Sequence, residues 1–285
     1  MIRHACINTV LVSLCVAVSG MAGAASKAVA DTRMAAAQTT DPALTKAVAD
    51  PARSARFVAR DRYRHPAEEL TFFGLKPNMT VVEVWPGSGY WTEILGPYLK
   101  SSGHLYAAVT AKGESQEEDT TTAKWRARIE QEKDRFGNIT ITGLGKGHYE
   151  VAPPNSADLV VTFRNLHNWD ESGYAADAMK GMYAALKPGG ILGIEDHRGR
   201  DDKPQDAQAK LGYIRQDYTI ELAKKAGFEF VGSSEINANP KDTKDYPEGV
   251  WTLPPTLTLG EKDREKYLAI GEADNYVLKF RKPAH

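Results

Sequence analysis

The chain has 285 residues, a formal net charge of −1 at pH 7 and two cysteines. Such a balanced charge argues against non-specific nucleic-acid binding, which needs a basic surface. The length suits one large α/β domain behind an N-terminal leader, and the sequence contains no internal repeat.

Residues 1–30 have the pattern of a secretory signal peptide. Arg3 provides a short basic head, an apolar run covers residues 5–20, and small residues follow. Cleavage is expected after Ala30, with Ala24 as the alternative. An uncleaved anchor would need about 20 apolar residues, and this run is shorter and more polar. We therefore expect a periplasmic or secreted protein without a membrane anchor after cleavage.

Both cysteines, Cys6 and Cys15, lie in this leader. Large or charged residues precede them where a lipoprotein signal needs small ones, so a lipid anchor is not expected. The cleaved chain would lack cysteine, which excludes disulfides, thiol chemistry and Cys-ligated metal. Cleavage would also remove Arg3 and Lys27 but no acid, and the net charge would move from −1 to −3.

Two regions are expected after the leader. Residues 31–50 are small and polar and predict a flexible segment, either a tether or a loose helix, and residues 51–285 predict one domain. Strand patterns cover 79–84, 104–109, 138–142, 157–163, 191–195, 228–236 and 275–281, and helix patterns cover 66–74, 90–99, 115–136, 174–186 and 211–226.

Alternation of short apolar strands with helices predicts a mostly parallel sheet covered on both faces. No helix is predicted between the last two strands, so the final strand could insert antiparallel. The predicted fold class is α/β, a seven-stranded, mostly parallel, doubly wound sheet with an N-terminal helical extension.

The first candidate motif is VVEVWPGSGY at residues 81–90. A strand with an acid near its end, followed by a Gly-rich turn into a helix, is typical of the first loop of a doubly wound nucleotide-binding fold. Glycine lets a ligand approach the backbone, and the helix start offers free N–H groups. A tight turn without a ligand is the alternative. The predicted cofactor-binding residues here are Glu83, Trp85, Pro86, Gly87, Ser88, Gly89 and Tyr90.

This motif resembles the first motif of class I S-adenosylmethionine-dependent methyltransferases, and its Trp-Pro-Gly is similar to that of an exported branch of predicted methyltransferases. The resemblance covers about residues 50–283 and implies a Rossmann-like methyltransferase fold with S-adenosylmethionine as cofactor. Other segments that match the branch are RDRYRHP (60–66), FFGL (72–75), TFRNLHNW (162–169), LKPGG (186–190) and DNYVLKF (274–280).

Two positions depart from the methyltransferase pattern. Trp85 stands where that motif has glycine, which places an indole next to the expected ligand. The second strand ends without the acid that accepts hydrogen bonds from a ribose, and no carboxylate follows until Glu114. Each charged acceptor contributes about 1.5–3 kcal/mol, so cofactor binding should be weaker than in a typical member.

The ends of the fourth and fifth strands carry a second group of candidates. Histidine can act as a general base near neutral pH, and we predict His167, Asp196 and His197 as catalytic residues. Arg164 and Asn165 are predicted to bind cofactor, and Trp169 to bind substrate. The alternative is that His167 and Trp169 only cap a helix and fill the cleft wall.

A metal site is a lesser alternative at the same place. His167, His197 and either Asp196 or Glu195 could serve as ligands, but their spacing is not diagnostic. We therefore predict no metal.

Residues 60–65 combine charge with aromatic character. They could form a solvated helix face, but the resemblance favours a lid that helps to bind an anionic ligand. The predicted substrate-binding residues are Arg62, Tyr63, Arg64 and His65, together with Tyr213 and Arg215 on the helix after the fifth strand.

Three functions remain open. The first is a methyltransferase that acts on a small molecule or an exported substrate. The second is a cofactor-free periplasmic binding or accessory protein, favoured by export and by the missing ribose acid. The third is a different, metal-assisted enzyme on the same fold. The sequence specifies neither the substrate nor the oligomeric state.

Overall fold

The structure is a computed structural model that describes Met1 and residues 39–284. Apart from Met1, the predicted signal peptide and its cleavage sites lie outside the described residues. Among residues 39–284, no helix combines the length and the apolar character needed to cross a bilayer.

Seven strands form one sheet in the order β3-β2-β1-β4-β5-β7-β6. The first five are mutually parallel, and β7 runs antiparallel between β5 and β6. The predicted seven-stranded sheet is therefore confirmed, including the antiparallel last strand. The strands are β1 Thr80–Val84, β2 His104–Thr110, β3 Ile139–Leu144, β4 Ala157–Phe163, β5 Leu186–His197, β6 Glu229–Ser234 and β7 Asn275–Arg281.

Eleven α-helices are present among the described residues. The first of them, α1, occupies part of the expected flexible segment and buries Leu44 and Ala47. The helices are α1 Pro42–Val48, α2 Ala55–Val58, α3 Asp61–Arg64, α4 Pro66–Phe73, α5 Thr92–Leu99, α6 Gln116–Gln131, α7 Lys133–Phe136, α8 Leu166–Glu171, α9 Ala175–Ala185, α10 Gln216–Lys225 and α11 Arg264–Ile270.

Side-chain alternation along the central strands sends apolar residues to both faces of the sheet. Val81 and Leu159 pack with residues of α1, α4 and α5. Val82 and Val160 pack on the opposite face with residues of α8, α9 and α10. Because both faces are covered, the central strands β1 and β4 are largely buried, and the ends of these strands are where a site can open.

Candidate functional site

The candidate site lies at the carboxyl edge of the sheet, where β1, β4 and β5 end. β1 and β4 are neighbours, and the chain winds outward from them in opposite directions. Ligands of open α/β sheets bind in the crevice at such a switch point. Since β7 is antiparallel, its first residues lie at this same edge. Four segments meet there: 85–90, 164–167, 195–197 and 272–275.

The turn after β1 has the open backbone that a ligand needs. Trp85, Gly87 and Gly89 all have positive φ, at 53°, 56° and 96°. A Cβ placed on Gly87 would meet no heavy atom within 4 Å, so there is free space beside it. This end of the turn fits the cofactor that the fold family implies.

The indole of Trp85 covers the neighbouring strand ends. Its Nε1 donates to the carbonyl oxygen of Leu144 at the end of β3 (2.9 Å), and its ring packs edge-on against Trp169. Its backbone N–H donates to Ala108 of β2. A bulky residue at positive φ costs about 1–2 kcal/mol, and these contacts offset that cost. The indole therefore lies over the ends of β1, β2 and β3.

The end of β2 offers no carboxylate to a ribose. The Thr110 hydroxyl there donates to Glu118 on α6 (3.1 Å), and Glu114 accepts from the backbone of Lys146. This part of the edge does not fit a nucleoside unless Trp85 moves. A cavity of about 750 Å³ lies nearby, at the ends of β2 and β3, but none of the predicted site residues lines it.

Glu83 lies buried in β1 below the turn. One of its oxygens, Oε2, accepts from the Thr92 hydroxyl (2.7 Å), which itself accepts from Trp125 Nε1. Oε1 has no partner among the described residues. Burial raises the pKa of Glu83 to about 8, against the opposing effects of Thr92 and Arg64. At pH 7 the side chain is therefore a neutral acid.

Asn165 joins β4 to the turn after β1. Its Nδ2 lies within hydrogen-bond distance of the carbonyl oxygens of Val84 (3.1 Å) and Trp85 (3.3 Å) and of the Thr162 hydroxyl. This predicted cofactor-binding residue therefore holds the turn through its donors.

His167 and Asp196 form a buried dyad. Nδ1 of His167 lies 2.9 Å from Oδ1 of Asp196, and because an ionised carboxylate only accepts, Nδ1 carries the proton. Asp196 also accepts from the backbone N–H groups of Leu166, His167 and His197. Burial raises the pKa of Asp196, but His167 and His197 bring it below its usual value. Nε2 of His167 is left as an acceptor, as in a general base.

His197 lies beside this dyad. Its ring centroid is 5.3 Å from that of His167, and its Nδ1 donates to Oδ1 of Asn275 (2.7 Å). Burial lowers the pKa of His197 to about 3, against the opposing charge of Asp196, and the positive charge of Arg164 acts in the same direction as burial. His197 is therefore neutral at pH 7, and its Nε2 is an acceptor that has no partner among residues 39–284.

The three predicted catalytic residues also form the one group of possible metal ligands found among the described residues. One donor atom from each of His167, Asp196 and His197 lies within 4.8 Å of the others. Both oxygens of Asp196, however, already accept hydrogen bonds. A cation bound there would have to displace one of those donors, so the present geometry favours orientation of the imidazoles.

Three arginines bring charge to the same edge. Arg60 binds the carboxylate of Glu272 through Nε and Nη2, at 2.6 and 2.9 Å. Arg164 donates from Nη1 to the same carboxylate at 2.7 Å. Arg64 is buried, pairs with Glu195 at 3.1 Å and stacks over Tyr90.

Of the predicted substrate-binding residues, Trp169 does not line the cleft. It is fully buried and packs in the core, so the wall-filling alternative is correct for it. The prediction that Tyr213 and Arg215 lie on a helix is wrong, because they precede α10. They line a cavity of about 160 Å³ with the loop at 199–206, and Arg215 is engaged by Asp217 and by backbone carbonyls.

The segment at 60–65 lies against the carboxyl edge through Arg60 and Arg64. Arg62 itself is exposed and stacks on Tyr63. His65 interacts with Asn237 at 3.1 Å. Because burial and the Glu195 charge hold Arg64 in its ion pair, it is not a free substrate ligand.

Glu272 and Asn275 were not predicted as parts of the site. Both lie at the start of β7, and the predicted antiparallel insertion of that strand was the signal that could have placed them at the carboxyl edge. Glu69 was not predicted either; burial and Glu195 raise its pKa well above its usual value.

Comparison with known proteins identifies the fold. No family model and no curated protein matches the sequence. Among solved structures, a S-adenosylmethionine-dependent methyltransferase from Aquifex aeolicus is similar over 86% of this chain and 100% of its own, with a TM-score of 0.53 and 16% identity. The cyclase SpnF is similar over 78% and 82%, with a TM-score of 0.55 and 15% identity.

An arsenic(III) S-adenosylmethionine methyltransferase from Chlamydomonas reinhardtii is also similar. It covers 86% of this chain and 74% of its own, with a TM-score of 0.51 and 15% identity. At these identities the similarity establishes the fold, which is that of the class I, Rossmann-like methyltransferases. The presence of a cyclase among these structures shows that the fold does not fix the reaction.

Proposed function

We propose that this protein is a S-adenosylmethionine-dependent methyltransferase that acts on a small molecule and is exported as its leader suggests. The observation that carries the proposal is the meeting of an open Gly-rich turn, at 85–90, with the His167–Asp196 dyad at one switch point. The first feature suits the cofactor, and the second suits removal of a proton from a nucleophile.

Each of the site residues would have its own role. Gly87 and Ser88 would receive the cofactor, which supplies an electrophilic methyl group when bound. Asp196 fixes the Nδ1–H tautomer of His167, so Nε2 can accept a proton from the substrate's hydroxyl, amine or thiol. Positioning contributes most of the rate in such a displacement.

Substitution of Gly87 by valine should weaken binding of S-adenosylhomocysteine at least about tenfold. Valine would fill the free space beside the turn and would be strained at a φ of 56°. Calorimetric titration of the full protein measures this directly.

Gly189→Val is the matched control. Gly189 also has positive φ (81°) and free space, but it lies in the LKPGG segment at the opposite edge of the sheet. It should suffer similar strain and bind S-adenosylhomocysteine as the wild type does. Equal affinities for all three proteins would contradict the proposed site.

A cofactor-free binding protein is the second candidate, because Trp85 covers the ends of β1, β2 and β3. We expect Trp85→Gly to bind S-adenosylhomocysteine at least about tenfold more tightly than the wild type. To admit a nucleoside, the wild type must break the Trp85–Leu144 hydrogen bond and lose the packing on Trp169, a cost of about 1–2 kcal/mol.

Trp169→Leu is the control for this experiment, since it disturbs the same cluster but keeps the Trp85 indole. Binding only by Trp85→Gly would mean that the indole closes a competent site. If neither Trp85→Gly nor the wild type binds, the cofactor-free protein is the correct reading. Equal binding by both would show that the indole is no obstacle.

A further inference from the structure

Two guanidinium groups share one carboxylate at the carboxyl edge. Arg60 and Arg164 both bind Glu272, whose side chain is only 3% exposed. The other acids of the cluster are engaged elsewhere: Glu195 with Arg64 and Asn237, and Asp61 with Arg53. One cation is therefore left without a counter-ion of its own among residues 39–284.

Arg164 makes fewer hydrogen bonds to Glu272 than Arg60 does. Only its Nη1 is bonded to a described residue, which leaves Nε and Nη2 without partners there, and its side chain is 13% exposed. Burial lowers the pKa of Arg164, and the positive charges of Arg64 and Arg60 add to the effect. Its backbone φ of 61° is also unusual for a non-glycine residue. Such strain persists where the surroundings demand a particular side-chain direction.

Glu69, the neighbouring acid, does not form an ion pair with Arg164 that would balance its charge. Glu69 accepts from Asn237, but its other oxygen has no partner among the described residues. Burial and the charge of Glu195 raise the pKa of Glu69 well above its usual value, which favours its uncharged form. An anion from solution is thus the natural partner for the free face of Arg164.

Arg164 and the imidazole pair lie at the same edge of the sheet. Arg164 follows β4 and precedes His167 by three positions, and Glu272 precedes Asn275, which binds His197. The charge of Arg164 is close enough to affect the pKa of His197. Both therefore lie at the edge to which ligands of this kind of sheet bind.

We propose that Arg164, with Arg60 beside it, binds the carboxylate or phosphate group of an anionic substrate whose nucleophilic atom faces His167. The proposal rests on the proposed function and names its substrate class. A planar guanidinium with two free N–H groups suits either oxyanion, since both accept paired hydrogen bonds.

The test is titration of the full protein with inorganic phosphate, and separately with acetate, at constant ionic strength. Thermal unfolding and phosphorus or proton NMR line widths report binding. Saturable binding of at least one anion in the millimolar range is expected, weakened at least about tenfold in Arg164→Gln. Arg56→Gln is the matched control, because Arg56 is an exposed arginine of α2 with no proposed role in binding, and it should bind as the wild type does.

Absence of saturable binding of both anions to the wild type, or equal binding by Arg164→Gln, would overturn the proposal. If Arg164→Gln does not fold, Arg60→Gln replaces it and should weaken binding in the same direction, and unchanged binding there would equally overturn the proposal. The titration contains no S-adenosyl compound. Its failure therefore leaves the cofactor site standing, and a failure to bind S-adenosylhomocysteine leaves the anion site standing.

Discussion

Replacing Glu83 by glutamine should remove a loss of stability that the wild type undergoes between pH 4.5 and pH 8. Glu83 has a folded-state pKa of about 8, against an ordinary value of 4.5, because it is buried. In this interval the unfolded chain has released the proton and the native protein retains it. The free energy of unfolding therefore falls by about 1.4 kcal/mol per pH unit, or about 4–5 kcal/mol in all.

Urea unfolding of both proteins across this pH range measures the effect. Glutamine resembles the protonated acid and can still accept from Thr92, so Glu83→Gln should lack this part of the pH dependence. Glu130→Gln is the control, because Glu130 is an exposed residue of α6; it should keep the wild-type profile. Parallel profiles for the wild type and Glu83→Gln would show that Glu83 is ionised in the folded protein.

The sheet was predictable because its signals are local. Short β-branched runs bounded by Gly and Pro predicted all seven strands, and β4 and β7 have the predicted bounds. The helix predicted over 211–226 was less accurate. Residues 211–215 continue as a loop whose Ile214 pairs with Arg198, and this contact depends on the folded sheet. A sequence pattern holds no information about such a distant partner.

The site was predictable in part for the same reason. His167, Asp196 and His197 follow strands whose carboxyl ends meet, so their proximity follows from the order of the strands. The direction of the Trp85 indole does not, because it is set by a carbonyl on β3, 59 positions away along the chain. Predicting that Glu272 joins the site required the position of β7 in the sheet as well as its existence.

Asp196 holds four hydrogen-bond donors in place. Its carboxylate accepts from three backbone N–H groups and from the His167 ring. It thus fixes the start of α8 and the tautomer of its histidine with one side chain. This structural role and the proposed catalytic role of Asp196 can be separated experimentally.

Replacing Asp196 by alanine should lower the free energy of unfolding by about 3–5 kcal/mol at pH 7, because it leaves buried donors without an acceptor. The folded pKa of Asp196 is depressed. Its stabilising effect is therefore present above the unfolded pKa of about 3.9 and is lost as the pH falls through the folded value. Denaturant unfolding at pH 7 and at pH 3 should show a smaller difference between variant and wild type at the lower pH.

Asp158→Ala is the control for stability, since Asp158 accepts from Thr80 N–H and Lys187 at the opposite sheet edge and is 30% exposed. It should cost about 1 kcal/mol. Asp196→Asn separates the catalytic part, because it keeps an oxygen near His167 without the charge. Nitrogen NMR should show a single Nδ1–H tautomer of His167 in the wild type and a mixture in this variant. If His167 were only a core residue, Asp196→Asn would keep the wild-type rate of methyl transfer despite its mixed tautomers. If His167 is the general base, the rate of methyl transfer in Asp196→Asn should fall by about 10²–10⁴.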